Sequence, residues 1–568
     1  MKVAHLIAKF LAENGVRRVY TVSGGGDLHM IHAICDRDDI RIICPQNEQG
    51  AAYAADAEAR LVGIGCAMAT SGPGATNMIT GIATSYYDSI PVLYITGNQT
   101  RERLGIGFGV RQFGFQSMPF VECVQGITKY ATIVMRGERI LYELEKCLWY
   151  SKEGRKGPVV IDVPDDIQRM DVDIDSLEHY QEPITEDLRK ALLEAPLEWY
   201  YPTANNRTPE VWNGYERPLI ALGAGIHLAG AEAEALAMLD RCQVPCVTTW
   251  GAADVVAGHP LFVGTWGTHG VRAANFAVQN ADLIIAIGTR LDTKATGSPA
   301  SSFAPKAQLV MVDIDANELA KMERIGRTCA TVQADAKEYI KNLYFDHTYT
   351  EWIARINGWK AAYPAVLPEY PPESPYRLME QLGTYLTKDD VVVSDTGCPL
   401  AWAMQVVPFK GRFIHAFNQT PMGYGLPAAI GAAGAHPGRV VLLVGDGGLS
   451  ETINELATVR KHNLNIKMIL FNNRGHAMCR QTQKQWLQGV YHATSDKDLA
   501  TPNFSAVAHA YGIGVVTTLD ELMHSEGPCF LELHIDPEQG VIPQARFGKS
   551  IEDADPALPR EELARIMA

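Results

Sequence analysis

Three times along the chain, short apolar runs ending in Gly, Asp, Asn or Pro alternate with longer stretches at helical apolar spacing. The first block reaches about position 180 and holds "GCAMATSGPGATN", "PVLYITGNQT" and "PVVIDVPDD". The second holds "RPLIALGAG", "VPCVTTWGAAD", "ADLIIAIGTRLD", "AQLVMVDIDAN" and "ATVQADA". The third, over about 377–545, holds "DVVVSDTGCP", "RFIHAFN", "RVVLLVGDGG", "IKMILFNNRG" and "PCFLELHID". Near-continuous apolar strands separated by helices imply parallel sheets with both faces covered. The expected class is α/β, with three doubly wound parallel-sheet domains at 1–180, 190–345 and 375–545 and a polar tail at 546–568. "EAPLEWYYPTANNRTPEVWNGYERP" (194–218) reads as a linker with an inserted loop, and the Pro-rich "YPAVLPEYPPESPY" (363–376) as a second linker. No short-period repeat is visible.

Composition narrows the partners. A net charge of −15 argues against nucleic acid or anionic membrane as the main partner. The Cys residues are scattered, with no CxxC pair, which fits a reducing cytosol. "MKVAHLIAKFLAENGVRRVY" reads as an amphipathic helix rather than a signal peptide, and no uncharged apolar run of about twenty residues exists to span a bilayer. A cytoplasmic enzyme acting on small molecules is expected.

One helix is unusual. "PQNEQGAAYAADAEARL" (45–61) sets a single carboxylate, Glu48, ahead of a run built largely of Ala and Gly. Ala favours helix and has no bulk, so this helix is expected to pack very close to a neighbour. An acid in the first turn suits the helix dipole; the alternative is that Glu48 does chemistry.

The third block carries the sharpest signal. "VVLLVGDGG" (440–448) is a buried strand ending in Gly445-Asp446-Gly447, and "IKMILFNN" ends in Asn472-Asn473. GDG alone is a common turn. With Asn473 one strand–helix–strand unit later, both side chains reach the same sheet edge, where ligands gather in open α/β sheets. A carboxylate, an amide oxygen and backbone carbonyls suit a hard cation completed by substrate phosphate, as Mg²⁺ prefers. The glycines let backbone approach a diphosphate.

These residues resemble the signature of thiamine diphosphate-dependent enzymes, and nearly the whole chain resembles the acetolactate synthase (acetohydroxyacid synthase) large subunit. The resemblance implies pyrimidine-binding, central FAD-binding-like and diphosphate-binding domains, in that order. It implies Mg²⁺ held by Asp446, Asn473 and the Gly475 carbonyl. It implies that Glu48 hydrogen-bonds the cofactor's aminopyrimidine, promoting the form that takes the thiazolium proton. Family members set this Glu and the diphosphate site on different subunits, so a homodimer or homotetramer with interfacial active sites is expected.

Other segments extend the likeness. "TSGPGATN" (70–77) lies beside the family's cofactor site, which assigns Gly72 and Asn77 there. "PMGYGLPAAIGAA" (421–433) assigns Met422 as the apolar wedge holding the cofactor bent, with Gly423 beside it. Gly445, Gly447 and Met478 complete the cofactor set. "FQSMPFVECVQGITKY" (115–130) makes Phe115 and Gln116 substrate-pocket candidates, while Lys129 could be a surface charge alone. Gly24 and Gly25 of "TVSGGGD" could turn backbone N–H groups to a reacting oxygen. In the middle block, "VGTWGTHGVRAANFAVQNADLIIAIGTRLDTKATG" (263–297) is similar to the family's flavin-binding stretch. It implies FAD near Gly223, Thr268, His269, Gly270, Gly288, Arg290, Asp292, Asp313 and Asp335. That FAD is not redox-active in acetolactate synthases.

The chain also departs from the family. Asn47 stands where a His usually precedes the catalytic Glu. Cys398 and Pro399 replace a Gln-His pair that contacts the diphosphate. Thr482 stands where a Trp packs against the acceptor keto acid, which opens space. Acetolactate synthase-like decarboxylation of pyruvate and transfer to an acceptor carbonyl is the first expectation. Alternatives are a carboligase adding a two-carbon unit to a nucleotide-linked ketosugar or other bulky acceptor, a 2-keto acid decarboxylase, a pyruvate oxidase and a catalytically idle homologue.

Overall fold

The computed structural model describes residues 1–105, 109–182, 212, 214–324, 328–345, 347–546 and 548–568. Most of the 194–218 linker lies outside the described residues. Three six-stranded sheets form, and every pairing within them is parallel. Apolar runs explain this directly: Val92–Asn98, Leu283–Ile287 and Ile466–Asn472 are buried at every position. Strands covered on both faces leave no polar face to alternate with.

The first sheet runs, edge to edge, Arg41–Ile43, Arg18–Val22, Gly65–Ala69, Val92–Asn98, Val159–Pro164, Tyr130–Ile133. Numbered in chain order, that is 2-1-3-4-6-5, and the third sheet repeats the same order with Arg412–Ile414, Val391–Ser394, Val440–Gly445, Ile466–Asn472, Cys529–His534 and Gly514–Val516. The central sheet differs. Its order is 3-2-1-4-5-6, with Pro218–Leu222 and Leu283–Ile287 as the inner pair. That is the doubly wound order whose ligand crevice opens where the winding reverses, beyond the carboxyl ends of this inner pair.

The Ala-rich helix Glu48–Val62 does pack as closely as its composition implies. Ala51, Ala52, Ala54, Ala55 and Ala57 are fully buried. A Cβ added at Gly65 would stand 2.0 Å from the Ala55 carbonyl oxygen, and one at Gly81 would stand 2.3 Å from the Ala52 Cβ. On its other side lies helix Gly425–Ala435 of the third block, where a Cβ at Gly431 would stand 2.0 Å from the Ala54 carbonyl oxygen. One hydrophobic core therefore runs unbroken from the first sheet to the third, including Tyr53, Tyr424, Ile430 and Leu442. Each fully buried Leu or Ile there contributes about 1.5–3 kcal/mol.

Buried charges seal the same junction. Arg60 bonds Asp56 at 2.7 Å and Asp88 at 2.8 Å, with all three side chains almost inaccessible. Tyr424 and Ser85 hydroxyls donate to Asp56, and Asp88 accepts the Phe417 and Asn418 amides. A buried ion network holds only when its remaining lone pairs are satisfied, as they are here.

Two features differ from the expected outline. Helix Thr350–Ala362, beyond the expected central boundary at 345, buries Trp352, Ile356 and Trp359 in the central core. The polar tail also belongs there. Ile551 and Ile566 enter that core, Asn275 donates to the Ile551 carbonyl at 2.9 Å, and Asn280 donates to the Ile566 carbonyl at 3.1 Å. No helix among the described residues is long and apolar enough to cross a membrane.

Candidate active site

Glu48 is the first residue of its helix, and Asn47 is the N-cap. Asn47 is in extended backbone, and its side-chain oxygen accepts the Gln49 amide at 2.8 Å. Asn is among the best N-caps, which gives this residue a physical reason. Glu48 is half-buried, and its Oε2 accepts a hydrogen bond from Asn77 Nδ2 at 2.9 Å. A Cβ at Gly74 would lie 3.2 Å from Glu48 Oε1, so the SGPGATN turn forms the wall beside this carboxylate. The fold thus joins two segments read separately in the sequence.

Gly72 has φ 66° and passes close to Gln116, whose carbonyl oxygen would lie 2.7 Å from a Cβ at 72. Gln116 itself has φ 61°, a strained conformation for a non-glycine residue of the kind that collects at functional sites. Phe115 beside it is 78% exposed. Lys129 serves elsewhere: its ammonium donates to the Glu153 carbonyl, and burial lowers its pKa to about 8. Gly24 corrects an expectation, because its N–H is already given to Asp27 at 2.9 Å rather than aimed at a reacting oxygen. Gly25 borders open space. Asp27, not singled out in the sequence, is fully buried, and burial pushes its carboxyl up to about 6.

The metal-type residues converge. Gly445 pairs with Phe471 in adjacent parallel strands, so Asp446 and Asn473 leave the same sheet edge. Asp446 Oδ2 accepts the Gly475 amide at 2.8 Å, while its Oδ1 is buried with no hydrogen-bond partner. Burial raises the Asp446 pKa. Buried Arg480 donates to the Asn473 carbonyl at 2.9 Å and to its side-chain oxygen at 3.2 Å. The preceding Asn472 has a structural task, donating to Glu532 at 2.8 Å. Glycine is required at 447, where a Cβ would stand 2.8 Å from the His476 ring and 3.0 Å from the Met422 methyl. Gly445 has open space around its Cα. Gly423, with φ 78°, turns the chain just after Met422.

Asp395 and Cys398 back this cluster. Asp395 is fully buried and accepts the Thr396 amide at 2.7 Å and the Gly425 amide at 2.8 Å, tying the segment before Cys398 to the one after Met422. Burial raises its carboxyl to about 7. Cys398 is buried at the start of helix Cys398–Val406 with Pro399 behind it, and burial pushes its thiol up to about 12. Thr482 donates its hydroxyl to the Met478 carbonyl at 3.1 Å, so its polar end turns back onto its own helix.

A separate cavity of about 390 Å³ opens at the carboxyl ends of the central strands. Thr268, His269, Gly288, Arg290, Asp292, Asp313 and Asp335 line it, together with Lys152–Lys156 of the first block and Phe417 and Asn418 of the third. Gly223 and Gly270 do not. Gly223 packs against Gly288, 2.3 Å from its carbonyl oxygen if given a Cβ, and Gly270 packs against the Trp266 backbone. Asp292 and Asp335 are N-caps of the helices that follow them. His269 Nε2 and Arg290 Nε are buried without hydrogen-bond partners, and burial holds the His269 pKa down at about 4.

Three family models match successive parts of the chain: the N-terminal TPP binding domain of thiamine pyrophosphate enzymes over 1–122, their central domain over 210–343 and their C-terminal TPP binding domain over 395–532. The chain belongs to the thiamine pyrophosphate (thiamine diphosphate) enzyme family. Relatives matched over nearly their full length include acetolactate synthase large subunits. Identity is 31% over 564 residues to the isozyme 1 large subunit of Escherichia coli (strain K12), covering 96% of each chain. It is 31% over 571 residues to isozyme 2 of the same organism, covering 97% of this chain and 98% of the relative. It is 31% over 576 residues to the large subunit of Lactococcus lactis subsp. lactis (strain IL1403), covering 96% and 94%.

Proposed function

We propose that this chain is a thiamine diphosphate- and Mg²⁺-dependent carboligase that decarboxylates a 2-keto acid, pyruvate first, and transfers the two-carbon unit to an acceptor carbonyl. The observation that carries this reading is the buried, unpartnered Oδ1 of Asp446, set beside Asn473 and Gly475 at one sheet edge. An orphaned carboxylate oxygen among amide and carbonyl oxygens fits Mg²⁺. Asp446, Asn473 and the Gly475 carbonyl would hold it, and the open space beside Gly445 leaves room for a diphosphate. When bound, thiamine diphosphate supplies the electron sink that lets CO₂ depart.

The chain's own residues do the rest. Glu48 would pass a proton between its carboxylate and the cofactor, and Asn77 fixes which way that carboxylate faces. Met422 offers an apolar surface beside the metal loop. Among the described residues no hydrogen bond or ion pair links Glu48 or Asn77 to Asp446, Asn473 or Gly475, and Phe115 faces outward. Both observations suit a site completed by a second copy of the chain, as a homodimer or homotetramer.

FAD fits the central cavity. Arg290, whose Nε makes no hydrogen bond and whose guanidinium makes only long ion-pair contacts to Glu318 and Asp292 at 3.9 Å, and the unbonded His269 Nε2 suit its phosphate and ring oxygens, and the three-block lining suits a long ligand. Purified protein should then carry flavin absorbance.

One observation favours a bulky acceptor over a second small keto acid. Thr482, half-buried, stands where the family resemblance has a Trp and turns its hydroxyl back onto the Met478 carbonyl, so its short side chain leaves space that an indole would fill. Mass spectrometry of products from pyruvate with a panel of acceptors, including nucleotide-linked ketosugars, tests the assignment. Acetaldehyde as sole product points to a decarboxylase, and peroxide to an oxidase.

A further inference from the structure

Glu455 is fully buried, and the reaction as described does not use it. It lies on the helical run that begins with Asp446 and continues through Ile453–Glu455. Its side chain bridges from the third block to the first. Oε1 accepts the Gln46 amide at 2.8 Å, two residues before Glu48, and Oε2 accepts the Thr458 hydroxyl at 2.8 Å. Gln46 Nε2 reaches the same Thr458 hydroxyl at 3.4 Å. A Cβ at Gly50 would stand 2.6 Å from Glu455 Oε1, so the first turn of the Glu48 helix is shaped to admit this carboxylate.

We propose that Glu455 is a positioning residue that fixes the proton-carrying carboxylate of Glu48 from the neighbouring domain. Asn47 caps the helix from within its own segment, but that bond fixes only the first turn relative to the rest of the helix. Glu455 supplies the external reference, tying the segment that enters the Glu48 helix to the third block of the same chain. A carboxylate suits the task because it accepts from a backbone amide and a hydroxyl at once and has no donor to repel either. Burying it is costly, and burial pushes its carboxyl up to about 6, yet both oxygens find partners. Small displacements of a proton-transfer group lower rates steeply.

The inference rests on Glu48 being the proton-carrying group, and the experiment separates the two. The readout is exchange of the bound cofactor's thiazolium C2 proton for deuterium, followed by NMR on full-length enzyme with thiamine diphosphate and Mg²⁺. Glu48→Gln should nearly abolish exchange; if it does not, the reading of Glu48 fails. With that loss established, Glu455→Ala should slow exchange about tenfold or more while cofactor affinity stays near that of the wild type. Glu455→Gln keeps an acceptor for the Gln46 amide and should recover most of the rate. In the Glu48→Gln background, Glu455→Ala should add nothing, because it acts only through Glu48. Thr458→Val keeps the packing volume and should give an intermediate loss; it decides the matter if Glu455→Ala does not fold. Wild-type exchange in the folded Glu455 and Thr458 variants, or an undiminished effect without Glu48, overturns the proposal.

Discussion

Gly431 rests directly on the backbone of Ala54: a Cβ at 431 would stand 2.0 Å from the Ala54 carbonyl oxygen. The contact joins the helix that begins with Glu48 to helix Gly425–Ala435, three residues after Met422. The small residues of both helices thus set the spacing between the two domains named for TPP binding. Gly431→Ala should lower stability by about 2–3 kcal/mol, since overpacking a closed contact forces backbone to move. Urea denaturation of the cofactor-free chain checks this, and an unchanged midpoint would mean the two helices are not in contact.

Asn47 has a local role. Replacing it with Ala removes the cap on the Gln49 amide and should cost about 1 kcal/mol of stability. Metal-dependent cofactor binding should change little, because the residues proposed to hold the diphosphate and metal lie in the third block. Thermal melting and cofactor titration, read together, distinguish this from a direct contact, which would weaken binding more than folding.

Asp446→Ala removes the oxygen that has no protein partner and the one that accepts the Gly475 amide. Mg²⁺-dependent thiamine diphosphate binding should weaken about 100-fold or more. Titration by fluorescence in Mg²⁺ and in a chelator measures it; equal affinity in both media for the wild type would exclude the metal role.

Glu455 predicts a pH signature. Its folded pKa, about 6, lies above its ordinary value of 4.5, so the folded chain keeps a proton that the unfolded chain has released. That contribution to stability is complete below about pH 4.5 and is lost as pH rises through about 6. Relative to the wild type, Glu455→Gln should therefore gain stability between those limits. Denaturation midpoints of the two proteins across this range measure the difference. A gap that is constant with pH would place the Glu455 pKa at its unfolded value.

Much of the site was legible because its residues stand at strand ends. Asp446 and Asn473 follow adjacent parallel strands, so sequence spacing alone places them at one edge. The role of Glu48 comes from the family resemblance, whereas the close packing of its helix was legible from its Ala-rich composition. Asp395 and Glu455 were not, because each earns its role from docking between segments distant in the chain, which no local pattern records. Asn47 is a departure from the family in sequence, and only the structure shows it as the N-cap that accepts the Gln49 amide. The tail is polar in sequence although Ile551 and Ile566 anchor it in the central core, since two apolar residues among many charges give no periodic signal. The shared 2-1-3-4-6-5 order of the first and third sheets likewise left no trace in sequence, because topology repeats without its residues repeating.

The central claim is that Glu48 carries the proton step of a thiamine diphosphate-dependent decarboxylation. It is tested most directly by measuring CO₂ release from pyruvate with thiamine diphosphate and Mg²⁺, for the wild type and Glu48→Gln. The wild type should release CO₂ and form an adduct with an acceptor carbonyl. Glu48→Gln should release almost none while still binding cofactor in a metal-dependent way. Full CO₂ release by Glu48→Gln would contradict the account.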